Sequence, residues 1–279
     1  MKKIIKKINS VSGIFLTIFQ HTKGAKYKLK FSTYIFRNVL GRIIPSLKSK
    51  KDIFLKMDEL NFYFAPSQSE LSPYPEIFHE KVYEKDQRFL PNKGDTIIDV
   101  GGHIGFFTIA AARRCGEKGR VYTFEPNPDT FKRLIKNIKA NNLSQVETNN
   151  IAISKKEGVL NLKVGDSTEG STIMSKGKLK EYERNISVVS NTLDNIVLEK
   201  KIKKIDLLKI DAEGAEVLIL KGAENHALSI TEKILIETHS KELRKKCKNM
   251  LQSNGFECVL NFFSGVSDLG ECNLVYFKR

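Results

Sequence analysis

Residues 97–108 read IIDVGGHIGFFT. Behind Lys93-Gly94-Asp95-Thr96, the first half is a short, apolar, β-branched run of the kind that forms a buried strand. Glycines follow at 101, 102 and 105, and an apolar pattern then runs from Phe106 to Cys115, closed by Gly116 and Gly119. Strand, glycine turn and helix in that order make the opening unit of an α/β sheet. Glycine admits positive φ and lets a ligand approach the main chain. The first amides of the helix are offered to a carboxylate or a phosphate.

The pattern repeats downstream. RVYTFEP (120–126) reads as a second strand stopped by Pro126, and residues 129–142 as a helix with Phe131, Leu134, Ile135 and Ile138 on one face. VETNNIAIS (146–154) reads as a third strand and GVLNLKV (158–164) as an extra one. Residues 166–184 form a polar surface loop, ISVVSNT (186–192) is again extended, and TLDNIVLEK (192–200) is helical. IDLLKIDAEG (205–214) supplies a fourth core strand and GAEVLILKGAENHAL (214–228) a helix. KILIETHS (233–240) is a fifth strand, and KELRKKCKNMLQSNGF (241–256) a helix closed by Gly255. ECVLNFF (257–263) and NLVYFKR (273–279) finish as an antiparallel strand pair. The expected fold is α/β, a mostly parallel sheet with helices on both faces, whose ligand sits beyond the carboxyl ends of the strands. The expected division is a basic N-terminal extension (1–50), a cap or lid region (51–92) and a main domain (93–279). Within the cap, LNFYFAP (60–66) suggests a strand and HEKVYEKDQRF (79–89) a helix.

Two ligand classes compete for the glycine turn. A dinucleotide needs G-x-G-x-x-G beneath its pyrophosphate, but counted from Gly101 the second and third glycine positions hold His103 and Phe106. S-adenosylmethionine carries no pyrophosphate, and a looser turn from Asp99 through Gly101, Gly102 and His103 to Gly105 suits its methionine part. Glu125, at the end of the second strand, is placed to accept hydrogen bonds from ribose hydroxyls. The expected cofactor is S-adenosylmethionine, with His103 as a turn-shaping group on its side.

DVGGHIGFFT, FEPNPDTFKRLIKNI, IAIS with the following Glu157-Gly158, NTLD, LLKIDAEGAEVLILKGA and IETH together resemble the FkbM-type S-adenosylmethionine-dependent methyltransferases, over residues 93–256. The resemblance implies a class I methyltransferase (Rossmann-like) fold and methyl transfer to a hydroxyl, often on sugars or polyketide-like products. It places Gly101, Gly102 and Gly105 along the methionine moiety, Glu125 at the ribose, and Ala152 and Ile153 beside the adenine. Asp211, Glu213 and Gly214 would face cofactor or substrate. Where the family most often has Ala-Asn, this chain has Gly102-His103.

Transfer to a hydroxyl needs an in-line acceptor and a base to take its proton. The candidates are Asp211 and Glu213 after the fourth strand and Glu237 and His239 after the fifth. His239 is favoured as base, with Glu237 or Asp211 orienting the acceptor; the blander alternative is a Glu237–His239 pair that caps the strand. A divalent metal among these groups ranks below a metal-free base. Glu216 and Glu224 are expected to face solvent, and His21, His79 and His226 to be structural. Asp194 is expected to cap the helix after it with Thr192, Ser171 and Thr172 to lie in the polar loop, and Tyr83 and Phe89 to belong to a lid.

Hydrophobic residues at 41% and charged residues at 28% describe an ordinary globular chain of 279 residues. The four cysteines (Cys115, Cys247, Cys258, Cys272) have no metal-ligand spacing and fit a reducing, cytoplasmic setting, with Cys258 and Cys272 candidates to face each other across neighbouring strands. Charge is uneven: residues 1–50 hold twelve Lys or Arg and no acid, while the other 229 hold 35 basic and 32 acidic residues. The near-neutral body argues against nucleic acid as partner, and so against the rival reading of an RNA methyltransferase. A scaffold that binds cofactor without catalysis is the other rival. Lys2, Lys3, Lys6 and Lys7 precede Ile8, Val11, Phe15, Ile18 and Phe19 at helical spacing, so residues 1–20 suggest a helix lying on an anionic membrane at the inner face. A signal peptide without a small-residue cleavage site and a helix packed on the body are the alternatives.

Overall fold

The computed structural model describes residues 13–41, 43–47, 51–65, 70–164, 184–267 and 270–279. Residues 1–12 of the expected membrane helix, and nearly all of the polar loop with Ser171 and Thr172, lie outside them. The run around Ile98 forms β3 (Thr96–Val100), which pairs in parallel with β4 (Arg120–Phe124) on one side and β9 (Leu207–Ile210) on the other. The sheet extends through β5 (Val146–Asn149) at one edge and through β10 (Lys233–Thr238), β12 (Gly270–Lys278) and β11 (Glu257–Ser267) at the other. Its order is β11-β12-β10-β9-β3-β4-β5, with β12 antiparallel to both its neighbours. The chain leaves β3 toward β5 and returns on β3's other side as β9. That reversal between β3 and β9 creates the crevice in which such sheets bind ligands.

Helices α4 (Phe106–Cys115), α5 (Pro128–Ala140), α7 (Glu216–Lys221) and α8 (Lys241–Ser253) connect the strands. Apolar residues of the strands alternate between two cores. Ile97, Leu207 and Leu235 belong to one, and Ile98, Leu208 and Ile234 to the other, which packs on α7, α8 and α6 (Leu193–Glu199).

The first core also takes in the N-terminal part. Residues 13–21 form helix α1, followed by α2 (Ala25–Leu40) and a hairpin of β1 (Ile53–Met57) and β2 (Leu60–Phe64). Ile18, Phe31, Leu55 and Phe62 are buried in one cluster with Phe106. The free edge of β2 is closed by a helix. Asn137 Oδ1 accepts from Tyr63 N (2.6 Å), Asn141 Oδ1 accepts from Asn61 N (3.0 Å), and each side-chain amide donates back to the carbonyl of the same residue. Two asparagines one helical turn apart thus stand in for a third strand. No helix among the described residues is long and apolar enough to cross a membrane.

Several elements differ from expectation. VETNNIAIS is two strands: β5 ends in the main sheet, and β6 (Ala152–Ile153) joins β8 (Arg184–Asn191) and β7 (Gly158–Val164) in a three-stranded sheet. Asn150 makes the corner, its side-chain amide donating to the carbonyls of Glu125 (2.8 Å) and Pro126 (3.0 Å). HEKVYEKDQRF forms two 3₁₀ turns, Val82–Glu84 and Gln87–Phe89, after a short α3 (Pro73–Phe78). Helix α7 stops after Lys221. Asp194 does not cap its own helix, a task left to Thr192; its carboxylate accepts from the amides of Asn225, His226 and Ala227 and holds the chain after α7. Cys258 pairs with Phe277 and Cys272 with Gly265, so the two thiols do not face each other.

Candidate active site

At the end of β3 the chain turns through Gly101 (φ +82), His103 (φ +49) and Gly105 (φ +99). A Cβ on Gly101 would lie 1.7 Å from the carbonyl oxygen of Asp211, and one on Gly102 would lie 2.1 Å from Thr123 Oγ1. The glycine turn is therefore pressed directly against the end of β9. His103 adopts the left-handed conformation that histidine and asparagine tolerate better than most residues, and its amide donates to Glu125 Oε2 (3.0 Å). Burial holds its imidazole neutral, at a pKa of about 4. Glu125 Oε1 accepts from Asn127 N (2.9 Å); burial pushes this carboxyl up to about 7 against the pull of the two amides.

Beneath the turn, fully buried Asp99 accepts from Thr108 Oγ1 (2.6 Å) and lies 3.2 Å from Lys209 Nζ. Burial, with the Asp211 charge adding to it, drives the Asp99 pKa up, and Lys209 and Thr108 draw it back. The ammonium also donates to Gly101 O (2.9 Å) and lies 3.5 Å from Asp211 Oδ2. One buried cation thus ties the glycine turn to the rim. A charged residue inside an otherwise apolar LLKI strand is its one signal in the sequence.

The structure brings Asp211, Glu213, Glu237 and His239 together at the ends of β9 and β10. His239 Nε2 lies 3.4 Å from Glu213 and 3.7 Å from Asp211, while Nδ1 sits 2.7 Å from Glu216 Oε1. Glu216 faces inward, fully buried, and not toward solvent as expected: its Oε1 also accepts from Gly214 N (2.9 Å), because the tight turn at Glu213 (φ +45) and Gly214 (φ +99) rolls it under the rim. Burial opposes a charge on His239, but the Glu216 hydrogen bond and the carboxylates of Glu213 and Asp211 outweigh it and raise the imidazole to about 11. It is held as an imidazolium, poorly suited to take a proton. Burial pushes Glu213 up to about 8 against the pull of His239, and Glu237 is raised by burial and by Asp211.

Tyr83 Oη donates across the cleft toward Asp211 (3.4 Å) and Glu237 (3.5 Å), and Ser264 Oγ to Glu237 (2.7 Å). Burial and the two carboxylates keep the phenol protonated. Phe89 lies elsewhere, packed on Tyr276. Ala152 and Ile153 are buried in β6. One ligand atom each from Asp211, Glu213 and His239 lie within 4.8 Å of one another, a donor set able to hold a divalent cation, as do those of Glu237, His239 and Cys272, and of His21, Asp58 and His79 away from this cleft.

The family model described as "Methyltransferase FkbM domain" matches residues 99–261, from the glycine turn through Glu237 and His239. The chain belongs to the FkbM methyltransferase family. Similar proteins include Methyltransferase 1 of Beauveria bassiana, 29% identical over 66% of this chain and 79% of its own. The 2-O-methyltransferase NoeI of Sinorhizobium fredii is 28% identical over 67% and 82%, and the hexuronic acid methyltransferase AglP of Haloferax volcanii 31% over 52% and 56%. The chain is thus a methyltransferase of the class I α/β fold whose cofactor is S-adenosylmethionine. Helix α4 starts at Gly105 with no capping side chain, so its positive end is open to an anion at the carboxyl edge of the sheet.

Proposed function

We propose that this FkbM methyltransferase moves the methyl group to a hydroxyl of a sugar, glycan or glycolipid. The observation that carries this reading is the rim of Asp211, Glu213 and Glu237, bridged by Tyr83, at adjacent strand ends beside the glycine turn. Carboxylates in a partly dried cleft accept strongly from hydroxyl donors, and a sugar presents those donors in fixed pairs. The printed names of two relatives, a hexuronic acid methyltransferase and a 2-O-methyltransferase, point the same way.

When bound, the cofactor supplies an electrophilic sulfonium methyl. The protein must hold the acceptor oxygen in line, worth about 7–11 kcal/mol, and take its proton, worth about 10²–10⁴ in rate. We assign the proton to Glu213, whose pKa of about 8 lies close to working pH. The acceptor O–H donates to this carboxylate as the new O–C bond forms. His239, favoured for that role from sequence, stays an imidazolium fixed by Glu216 and holds Glu213 and Asp211 in position. Asp211 and Glu237 orient the acceptor. Gly101, Gly102, His103 and Gly105 receive the methionine part with Asp99 bracing them from below. Glu125 keeps a second lone pair on each oxygen for the ribose, and Ala152 and Ile153 border the adenine.

Methyl-labelled cofactor offered with hexuronic acids and oligosaccharides should place label on carbohydrate. Glu213→Gln should lower kcat about 100-fold with cofactor affinity unchanged. Label entering RNA alone would overturn the acceptor class, and full turnover by the variant would overturn the base.

A further inference from the structure

The described residues expose twelve large hydrophobic side chains, and eight of them fall between positions 16 and 47: Leu16, Phe19, Leu29, Phe36, Val39, Ile43, Ile44 and Leu47. The geometry makes one surface of most of these. Leu29 and Phe36 are seven residues apart on α2, two helical turns, and so share a face. Phe31 and Tyr34 point the opposite way into the core, which fixes the Leu29–Phe36 face outward. Past the end of α2 the chain folds back, with Arg37 Nε donating to Leu47 O (3.2 Å), so that Ile43, Ile44 and Leu47 gather beside the end of the helix. From α1, Phe19 lies beside the first turn of α2, its ring 5.0 Å from Lys28 Nζ.

The segment itself carries charge of one sign. Residues 16–47 carry Lys23, Lys26, Lys28, Lys30, Arg37 and Arg42 and no acid. On the helical wheel, Lys26, Lys30 and Arg37 flank the Leu29–Phe36 ridge on one side and Lys28 on the other. An apolar ridge flanked by lysines is the shape of a helix that lies in the headgroup layer, apolar side chains entering the acyl boundary and ammonium groups meeting anionic lipid. A second copy of the chain would set cations against cations. Nucleic acid would leave branched aliphatic residues such as Ile43 without a partner.

We propose that α2 and residues 43–47 dock this enzyme on an anionic lipid bilayer. The site stands on folded, core-anchored elements downstream of residues 1–12. Its test reads vesicle binding and not methyl transfer, so it stands or falls apart from the acceptor assignment.

The full chain is sedimented with phosphatidylcholine vesicles containing or lacking phosphatidylglycerol, over a salt series. Binding is expected to the anionic vesicles, weakening as salt rises. Phe36→Asp with Ile43→Asp, at positions 64% and 81% exposed, should keep the circular dichroism of the parent and bind at least about tenfold more weakly. Equal binding by parent and variant, no binding to anionic vesicles at low salt, or a parent dimer in light scattering that the same variant dissociates would each overturn the proposal.

Discussion

His103 matters through its backbone. At φ +49 it turns its amide onto Glu125, and the positions of Gly101 and Gly105 follow from that turn. His103→Asn should therefore keep cofactor binding, whereas His103→Val, β-branched in a left-handed position, should cost about 1–3 kcal/mol in urea unfolding and weaken cofactor binding in calorimetry. Across the cleft, Glu213, as the proposed base, should set the pH response. As pH rises through about 8 it loses its proton and becomes able to accept one, so kcat/KM should climb between pH 7 and 9. The His239 imidazolium holds that pKa down, so His239→Asn should move the rise to higher pH. The same change leaves Glu216 buried opposite a neutral side chain, which should lower stability by about 3–5 kcal/mol. The linkage has a definite sign. An imidazole raised from 6.5 to about 11 stabilises the fold fully below pH 6.5, and that contribution fades as pH climbs toward 11, a slope that denaturant titration of the parent should contain and the variant should lack.

At the scale of elements, α5 does two jobs: its apolar face packs on the sheet while Asn137 and Asn141 close the hairpin edge. Asn137→Ala strips partners from Tyr63 N and from the buried carbonyl of Ile104, and should cost about 1–3 kcal/mol by urea unfolding. Neither role of these asparagines shows in a helical wheel, where a polar residue beside the apolar stripe looks like a boundary. Most of the parallel strands were legible because short apolar runs ending in Gly, Pro or acid have few other readings. The break inside VETNNIAIS was not, because it depends on Asn150 finding two carbonyls far from it in sequence. Strand ends also made Asp211, Glu213, Glu237 and His239 legible as one group. Glu216 was missed because charge on a helix defaults to solvent, and only the Glu213-Gly214 turn reverses that. Lys209 was missed because its partners Asp99 and Gly101 lie on another strand.

Over the whole molecule, the N-terminal helices and the sheet share a core. Phe31, almost fully buried, belongs to the same cluster as Phe106, the first residue of the helix behind the glycine turn. Phe31→Ala should thus lower global stability by about 3–5 kcal/mol in one cooperative transition, and separate melting of residues 13–47 would contradict the shared core. The close approach of Gly101 to Asp211 bears on how such a molecule can move. With a carbonyl of one strand end occupying the space a side chain would take on the other, the floor of the cleft is a weld with no room for a hinge. On the proposed assignment, methyl donor and acceptor carboxylates would keep one spacing through every turnover, and admission of the acceptor would fall to the walls: the turn bearing Tyr83 on one side and the strand bearing Ser264 on the other.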